Sequence, residues 1–525
     1  MRDPAEQGGG HPGIPENAME HTVLPDKPSH IAIAGGGFSG VCAAVQLVRS
    51  TRAPLHITLI EPRNRVGLGL AYSTTDPDHR LNGPTWVHSI DPRDSGHFTR
   101  WCEQQGLFAA DPQALLPDGS AFVRRADFGR YMESAFREHA RWPSTQSTIT
   151  HLQARVVDAL KKGDSIEVVT DAGHALVCDM LIIATGNPPP RLQTPLDASL
   201  TAHPGVLENP LETQRLLEIP GEANVLIIGS SLMALDVLAT LLRQGHTGKI
   251  VSISRRGLQP RPQAPSAGPL SPPPTVPVAP ATATGRQMLD RILGPAPGFL
   301  TQPGVEPTLR AWIRALRQRI GEVQAQGVSW QSAFDELRDV VWRTWPLLPA
   351  AQKRRFLKKA RTWYDVHRFR SPPQTQRLVQ AAQAQGRIEF RAERIQSVAA
   401  LEASGSLQVR FAPREGEGKA NRCEAFEFII NCTGLDVLSR VSSSPFLSAL
   451  MGKGWLTADE CGIGFAVDEN CQALSAKRTK QPAVRVIGPP TAGTFGDPLG
   501  AIFIAAQIYR ILPDILSSLG ASRSS

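Results

Sequence analysis

The chain has 525 residues, 41% of them hydrophobic and 20% charged; at about 100–200 residues per domain this supports about two to four packed domains and excludes a wholly disordered chain. A formal charge of +8 admits an anionic cofactor, an acidic small molecule or nucleic acid as partner without choosing among them. The seven cysteines form no CxxC pair, which argues against a zinc or disulfide framework, and the 44 prolines exceed the ~5% norm and call for long loops or linkers.

Residues 1–29 are polar and rich in Gly and Pro and read as a flexible arm. They lack the basic start and apolar run of a signal peptide, and no run approaches ~20 apolar residues, so a cytoplasmic protein without a membrane span is expected. Residues 30–34 form a short apolar strand that runs into Gly35-Gly-Gly-Phe-Ser-Gly40; a helix follows over 41–48, then a strand over 56–60 ending in Glu61. This β–turn–α–β order predicts a parallel sheet. Residues 150–186 are β-rich and end in Ala184-Thr-Gly186, after which Pro188-Pro-Pro190 stops the strand.

The pattern restarts at Asn224, with a strand over 225–228, the turn Gly229-Ser-Ser-Leu-Met-Ala234, a helix over 235–244 and a strand over 249–254. Nine prolines within 260–280 exclude helix or central strand and mark an extended insertion. Residues 301–380 hold 15 Lys/Arg against 6 Asp/Glu and alternate basic and apolar positions at helical spacing over 306–365, so the whole charge excess sits there. Phe428-Ile-Ile-Asn-Cys-Thr-Gly434 repeats the strand-then-Thr-Gly plan, and a last strand at 483–487 leads through a Gly/Pro loop to a helix over 500–512.

Gly35, Gly37 and Gly40 fit GxGxxG: the first for the tight turn, the second for close approach to a pyrophosphate, the third for helix–strand packing. Phe38 and Ser39 open the helix whose free N–H groups face the phosphates, and Glu61, 21 residues beyond Gly40, stands where a ribose hydroxyl is bound. In the second loop Gly229 is kept, Ser230 follows it, and Ser231 and Ala234 replace the other two glycines. Arg255 and Arg256 stand in place of an acid; an arginine there accommodates the 2′-phosphate of NADP, which favours NADPH over NADH. Gly186 and Gly434 each close a strand end where the backbone must cross close to something, and both are counted among the candidate cofactor-binding residues.

Beside these loops stand Gly67-Leu-Gly-Leu-Ala-Tyr-Ser73, Leu81-Asn-Gly-Pro84, Trp363-Tyr-Asp-Val-His-Arg-Phe-Arg370 and Gly488-Pro-Pro-Thr-Ala-Gly-Thr-Phe-Gly496. With them the chain resembles the FAD/NAD(P)-binding flavoprotein monooxygenases over nearly its full length, and within them is most similar to the bacterial FAD-dependent urate hydroxylases. It departs from the broader group in lacking FxGxxxH between Gly186 and Gly229, and it has no redox cysteine pair after the first nucleotide helix. The resemblance implies an α/β fold with two Rossmann-like dinucleotide-binding domains: a discontinuous FAD domain, 30–200 and 425–525, around an NAD(P)H domain, 215–424, that carries the insertion and the basic segment.

It also implies an FAD-dependent enzyme that uses NADPH or NADH and O2 to hydroxylate a small molecule through a flavin C4a-hydroperoxide, with urate to 5-hydroxyisourate as the narrowest version. An amine N-hydroxylase, an FAD oxidoreductase that inserts no oxygen and, last, a nucleic-acid-binding protein are the alternatives. No nucleic acid, membrane or metal partner is expected. Asn82, Gly496 and Asp497 are placed at the flavin end, against a role as turn residues. Asp365, His367, Arg368 and Arg370 are the candidate substrate set, against a solvated basic helix end. Five tryptophans, at 312, 330, 342, 345 and 363, are read as core, and Cys42 and Cys432 as packing residues.

Overall fold

A computed structural model describes residues 28–51, 53–193, 196, 198–264, 288–401, 405–412, 422–437, 440–496 and 499–521. The arm up to residue 27, the insertion from 265 onward and Asp497 lie outside them. The strand Ser29–Ala34 pairs in parallel with Leu55–Ile60 on one side and Met180–Ile183 on the other. These strands are covered on both faces, which is why they are continuous apolar runs rather than alternating ones. The sheet extends to seven strands, with Lys480–Val486 joining beside Met180–Ile183 and Ser147–Leu152 beside Leu55–Ile60. Helix Phe38–Ser50 is buried along most of its length, between this sheet and the C-terminal helix Ala501–Ala521.

A second sheet repeats the plan. Val225–Ile228 is flanked in parallel by Ile250–Ser254 and Phe428–Asn431, with Ile388–Ala392 and Val206–Leu207 at the edges. Each central sheet receives its third strand after a three-stranded antiparallel meander, Val156–Lys162 to Ala175–Cys178 in one half and Ile395–Leu401 to Cys423–Phe426 in the other. The residue joining meander to strand is an acid in both. The Asp179 carboxylate accepts from His30 N at 2.8 Å, and that of Glu427 from Asn224 N at 2.6 Å.

This pairing corrects the expected boundaries. The strand Phe428–Asn431 belongs to the second sheet, so the return to the first half comes after it and not at 425; Val206–Leu207, before 215, also joins the second sheet. The basic segment is helical, as its spacing predicts, with helices at Leu309–Ala325, Gln331–Asp339, Val341–Leu347, Ala350–Lys359 and Arg361–Arg368. It leans on the first half rather than standing within the second. Just before it, Met288, Leu289 and Ile292 pack on Ile502 and Ala506 of the C-terminal helix, and within it Trp345 Nε1 donates to Gly493 O at 2.8 Å. Its last helix, Pro373–Ala384, returns to the second half through Val379 and Ala382.

The C-terminal helix is long and apolar enough to cross a membrane over Ala501–Gly520, but more than half of that stretch is buried in the protein. Arg485, fully buried, pairs with its Asp514 at 2.7 Å. The halves also meet through a polar cluster. Asp76, almost fully buried, accepts from Thr240 Oγ1 and Arg243 Nη2, both at 2.9 Å; His79 Nε2 lies 3.1 Å from Thr240 Oγ1; and Arg125 pairs with Asp236 at 2.8 Å.

Burial holds His88 neutral, with its pKa lowered to about 4, while its Nδ1 donates to Pro84 O at 3.0 Å. A histidine whose folded pKa lies below its ordinary 6.5 contributes stability that is complete above pH 6.5 and is lost as pH falls toward 4. Across that window the loss should reach roughly 3 kcal/mol for this group. Thermal melts between pH 7 and 4.5 should show the acid-side fall in Tm flattened in His88→Gln; an unchanged slope would remove His88 as its source.

Candidate functional site

The first glycine loop is built by close approach. A Cβ at Gly35, whose φ is +110°, would lie 2.7 Å from Ala184 O; one at Gly40 would lie 2.0 Å from Gly35 O. Both positions are closed to any side chain. Gly37 differs: the nearest atom to a Cβ there is Gly69 Cα at 3.4 Å, so its bareness is not required by packing. Helix Phe38–Ser50 begins at Gly37 with no side-chain cap and no acid in its first turn, which leaves its first N–H groups and positive end to an anion. Glu61 is buried and oriented, its carboxylate accepting from Gly36 N at 3.0 Å and Arg63 N at 3.2 Å. The residues fit a dinucleotide pyrophosphate and the ribose beside it.

The second loop repeats this geometry. A Cβ at Gly229, φ +121°, would lie 2.1 Å from Cys432 O. Thus the Ala184-Thr-Gly186 and Cys432-Thr-Gly434 signals are the same feature, the strand end against which each loop turns. A Cβ at Gly186 or Gly434 would itself meet nothing within 4 Å, so neither is glycine for lack of space; Gly434, at φ +103°, needs it for its conformation. Helix Leu232–Arg243 starts at Ser231 with no side-chain cap and no acid in its first turn. Ser230 Oγ, 2.6 Å from Leu258 O and 2.8 Å from Ser254 Oγ, ties the turn to the segment that carries Arg255 and Arg256. Both arginines are exposed at the strand end, and the Arg256 guanidinium lies 5.9 Å from the Trp363 ring.

The two ends of the chain meet at the first loop. Gly488, φ +72°, packs so closely that a Cβ would lie 2.5 Å from Ser39 Oγ, and its N–H donates to Gln507 Oε1 at 2.8 Å. Ser39 is therefore buried beneath the late Gly-Pro-Pro loop, and Phe38 is buried with its ring 5.7 Å from that of Phe128. Gly496 departs from expectation. Its N–H is not free but donates to Ala492 O at 2.8 Å, and its missing side chain makes room for Trp345 and Val341 of the basic segment. Asn82 lines a cavity of about 130 Å³ together with Arg368, Arg370, Asp335 and Phe503.

A cavity of about 1920 Å³ opens between the basic helices and the first half, whose Asn187, Pro489 and Ala492 form part of its wall. Asp365 and His367 line this cavity; Arg370 does not. His367 Nδ1 donates to Trp363 O at 2.6 Å, and its ring stacks on Phe334 at 5.2 Å. Asp365 pairs with Arg361 at 3.5 Å. Arg370 is 4% exposed, bonded to Asp335 Oδ1 at 2.7 Å and to Gln331 O, which makes it a structural residue rather than a substrate ligand. Arg368 lies over the Phe503 ring and faces the smaller cavity. The expected four-residue cluster is therefore split. Of the tryptophans read as core, Trp345 is buried, though it also touches the large cavity, and Trp312, Trp330 and Trp363 line that cavity as well, Trp363 being 48% exposed.

One wall residue carries no periodic or motif signal in the sequence. Arg440 is 4% exposed and donates to Ile463 O at 2.9 Å and to Asn187 Oδ1; burial lowers its pKa to about 10. The cysteines behave as packing residues: burial raises the thiols of Cys42 and Cys432 far above their ordinary range.

Residues 32–188 match a family model described as FAD-NAD(P)-binding. No curated protein matches the chain by sequence. Among solved structures it is similar to an ornithine N-hydroxylase of Kutzneria sp. 744, with 13% identity, 95% of this chain and 100% of that chain covered, and a TM-score of 0.59. The L-lysine 6-monooxygenase of Pseudomonas syringae gives 15% identity, 94% and 100% coverage and a TM-score of 0.58. A cadaverine monooxygenase of desferrioxamine biosynthesis from Erwinia amylovora gives 14%, 94% and 95%, and 0.56. The fold is that of the two-dinucleotide flavoproteins.

Gly37 offers a clean test of the first loop in that fold. Gly37→Ala should fold with an unchanged far-UV spectrum and melt, because nothing rigid lies within 3.4 Å of the new methyl, yet retain at least tenfold less FAD by absorbance near 450 nm. Full flavin content in a folded Gly37→Ala protein would show that no pyrophosphate passes there. Gly40→Ala, which drives a methyl into the Gly35 carbonyl, should lose the fold itself.

Proposed function

We propose that the chain is an FAD-dependent monooxygenase that oxidises NADPH and hydroxylates the nitrogen of an amine with O2. The observation that carries this reading is the pair of matching glycine loops, one ending in Glu61 and the other in Arg255-Arg256, in a fold similar over nearly its whole length to hydroxylases of ornithine, lysine and cadaverine. Urate, the narrower expectation from the sequence, draws no support from the family match or these folds, and amine hydroxylation takes its place.

The chemistry supplied by bound FAD is hydride acceptance from NADPH and activation of O2. The chain does the rest. The loop of Gly35, Gly37 and Gly40 holds the FAD pyrophosphate and Glu61 the adenosine ribose. Arg255 and Arg256 bind the 2′-phosphate that separates NADPH from NADH. His367 supplies a base: because Nδ1 is committed as donor to the Trp363 carbonyl, the neutral ring keeps its lone pair on Nε2. An amine reacts at nitrogen only after losing its ammonium proton, and Nε2 is the acceptor for that proton.

Arg255→Ala combined with Arg256→Ala should raise KM for NADPH at least tenfold and leave that for NADH within about twofold; equal effects on both coenzymes would overturn the assignment. Ornithine, lysine and diamines should be screened for stimulated NADPH oxidation together with a hydroxylamine product. A fully flavinylated protein that no amine stimulates would sink the activity. His367→Ala should lower kcat at neutral pH and recover as rising pH deprotonates the free amine; a loss independent of pH would make His367 structural.

A further inference from the structure

The large cavity is larger and more cationic than an amino-acid substrate requires. Its volume of about 1920 Å³ is roughly twice the upper end of ordinary ligand pockets, ~1,000 Å³. Helix Leu309–Ala325 buries only Leu309, Ala315 and Val323. Its Trp312, Leu316 and Ile320, spaced four apart on one face, line the cavity instead, as does Ile313, 37% exposed. Across from them lie Phe356 and Leu357 of the helix Ala350–Lys359. Such a lining is unfavourable in water and favourable against hydrocarbon.

The charges around it have one sign. Among the described residues every charged group in the lining is a cation except Asp365, which is paired with Arg361. Arg310, Arg314, Arg317, Arg355, Lys358 and Lys359 line the cavity and are exposed, and among the described residues they make no ion pair. The buried indole Nε1 of Trp312 has no hydrogen-bond partner either, which leaves a donor in the wall for a polar atom of the ligand.

We propose that this cavity binds an amphipathic anion: one molecule with a long hydrocarbon body and a carboxylate or phosphate group, held by the apolar wall and the arginine and lysine rim. The proposal does not rest on the monooxygenase reading: the binding site stands on the cavity alone, and the ligand, which needs no amine, is not named as the substrate of that reaction.

Calorimetric titration of the full-length, FAD-loaded protein with dodecanoate, dodecan-1-ol and dodecylammonium, each below its micellar concentration, tests it. Dodecanoate should bind at least tenfold more tightly than dodecylammonium, and in the series octanoate, decanoate, dodecanoate each added pair of carbons should tighten binding roughly three- to tenfold. Arg314→Glu with Arg317→Glu should reverse the preference between the two charged heads, with flavin content as the check on folding. Equal binding of all three heads, no dependence on chain length, or no binding by flavin-replete protein would overturn the proposal. So would capture by anionic phosphatidylglycerol vesicles without binding of monomeric dodecanoate, which would make this face a membrane contact. If dodecanoate binds as expected but no amine stimulates NADPH oxidation, the hydroxylase reading fails and the site stands; if small amines are hydroxylated and dodecanoate does not bind, this proposal alone fails.

Discussion

Two backbone approaches organise the molecule: the first glycine of each loop against the last carbonyl of a strand that arrives more than 140 residues later. At Gly35 and Gly229 a side chain would strike Ala184 O or Cys432 O. The contact exists only if Met180–Ile183 lies beside Ser29–Ala34 and Phe428–Asn431 beside Val225–Ile228, in parallel. A parallel neighbour needs a crossover, and in both halves the chain reaches it through a meander closed by an acid, Asp179 or Glu427, that bonds back to the start of the first strand, at its second residue His30 or at Asn224 just before it. The position of both helix N-termini follows from that seal.

This also explains which parts could be read from the sequence. The loops could, because a close approach leaves a glycine at a fixed offset and a buried parallel strand leaves an unbroken apolar run. The repeated Thr-Gly pair can be seen but not placed: nothing local to residues 423–434 says that its strand joins Val225–Ile228 rather than the first sheet. Gly496 shows the same limit. A glycine before a helix fits a ligand-binding loop, yet here it makes room for Trp345, some 150 residues away in sequence. Arg440 had no signal at all, since a lone arginine looks the same whether it is buried or solvated.

The basic segment divides its charge between two tasks. Burial alone would raise the Asp335 carboxyl, but Arg338 and Arg370 beside it hold its pKa below the ordinary value. That group ties the helix Gln331–Asp339 to the segment just after the helix Arg361–Arg368, in the wall of the smaller cavity. Arg310, Arg314, Arg317, Arg355, Lys358 and Lys359 are exposed along the larger one. A local excess of nine positive charges in sequence is thus part scaffold and part field, and composition alone cannot separate them.

The cluster at Asp76 bears on how the two halves work together. Rotating one half against the other would pull Arg243 and Thr240 away from a carboxylate that solvent hardly reaches, and would separate Arg125 from Asp236 as well. Leaving such a charge behind costs several kcal/mol, enough to make a swung-apart state rare. The joint behaves as a weld, not a hinge. The two glycine loops, one in each half, are thereby held at a fixed separation, set by side chains that belong to neither loop.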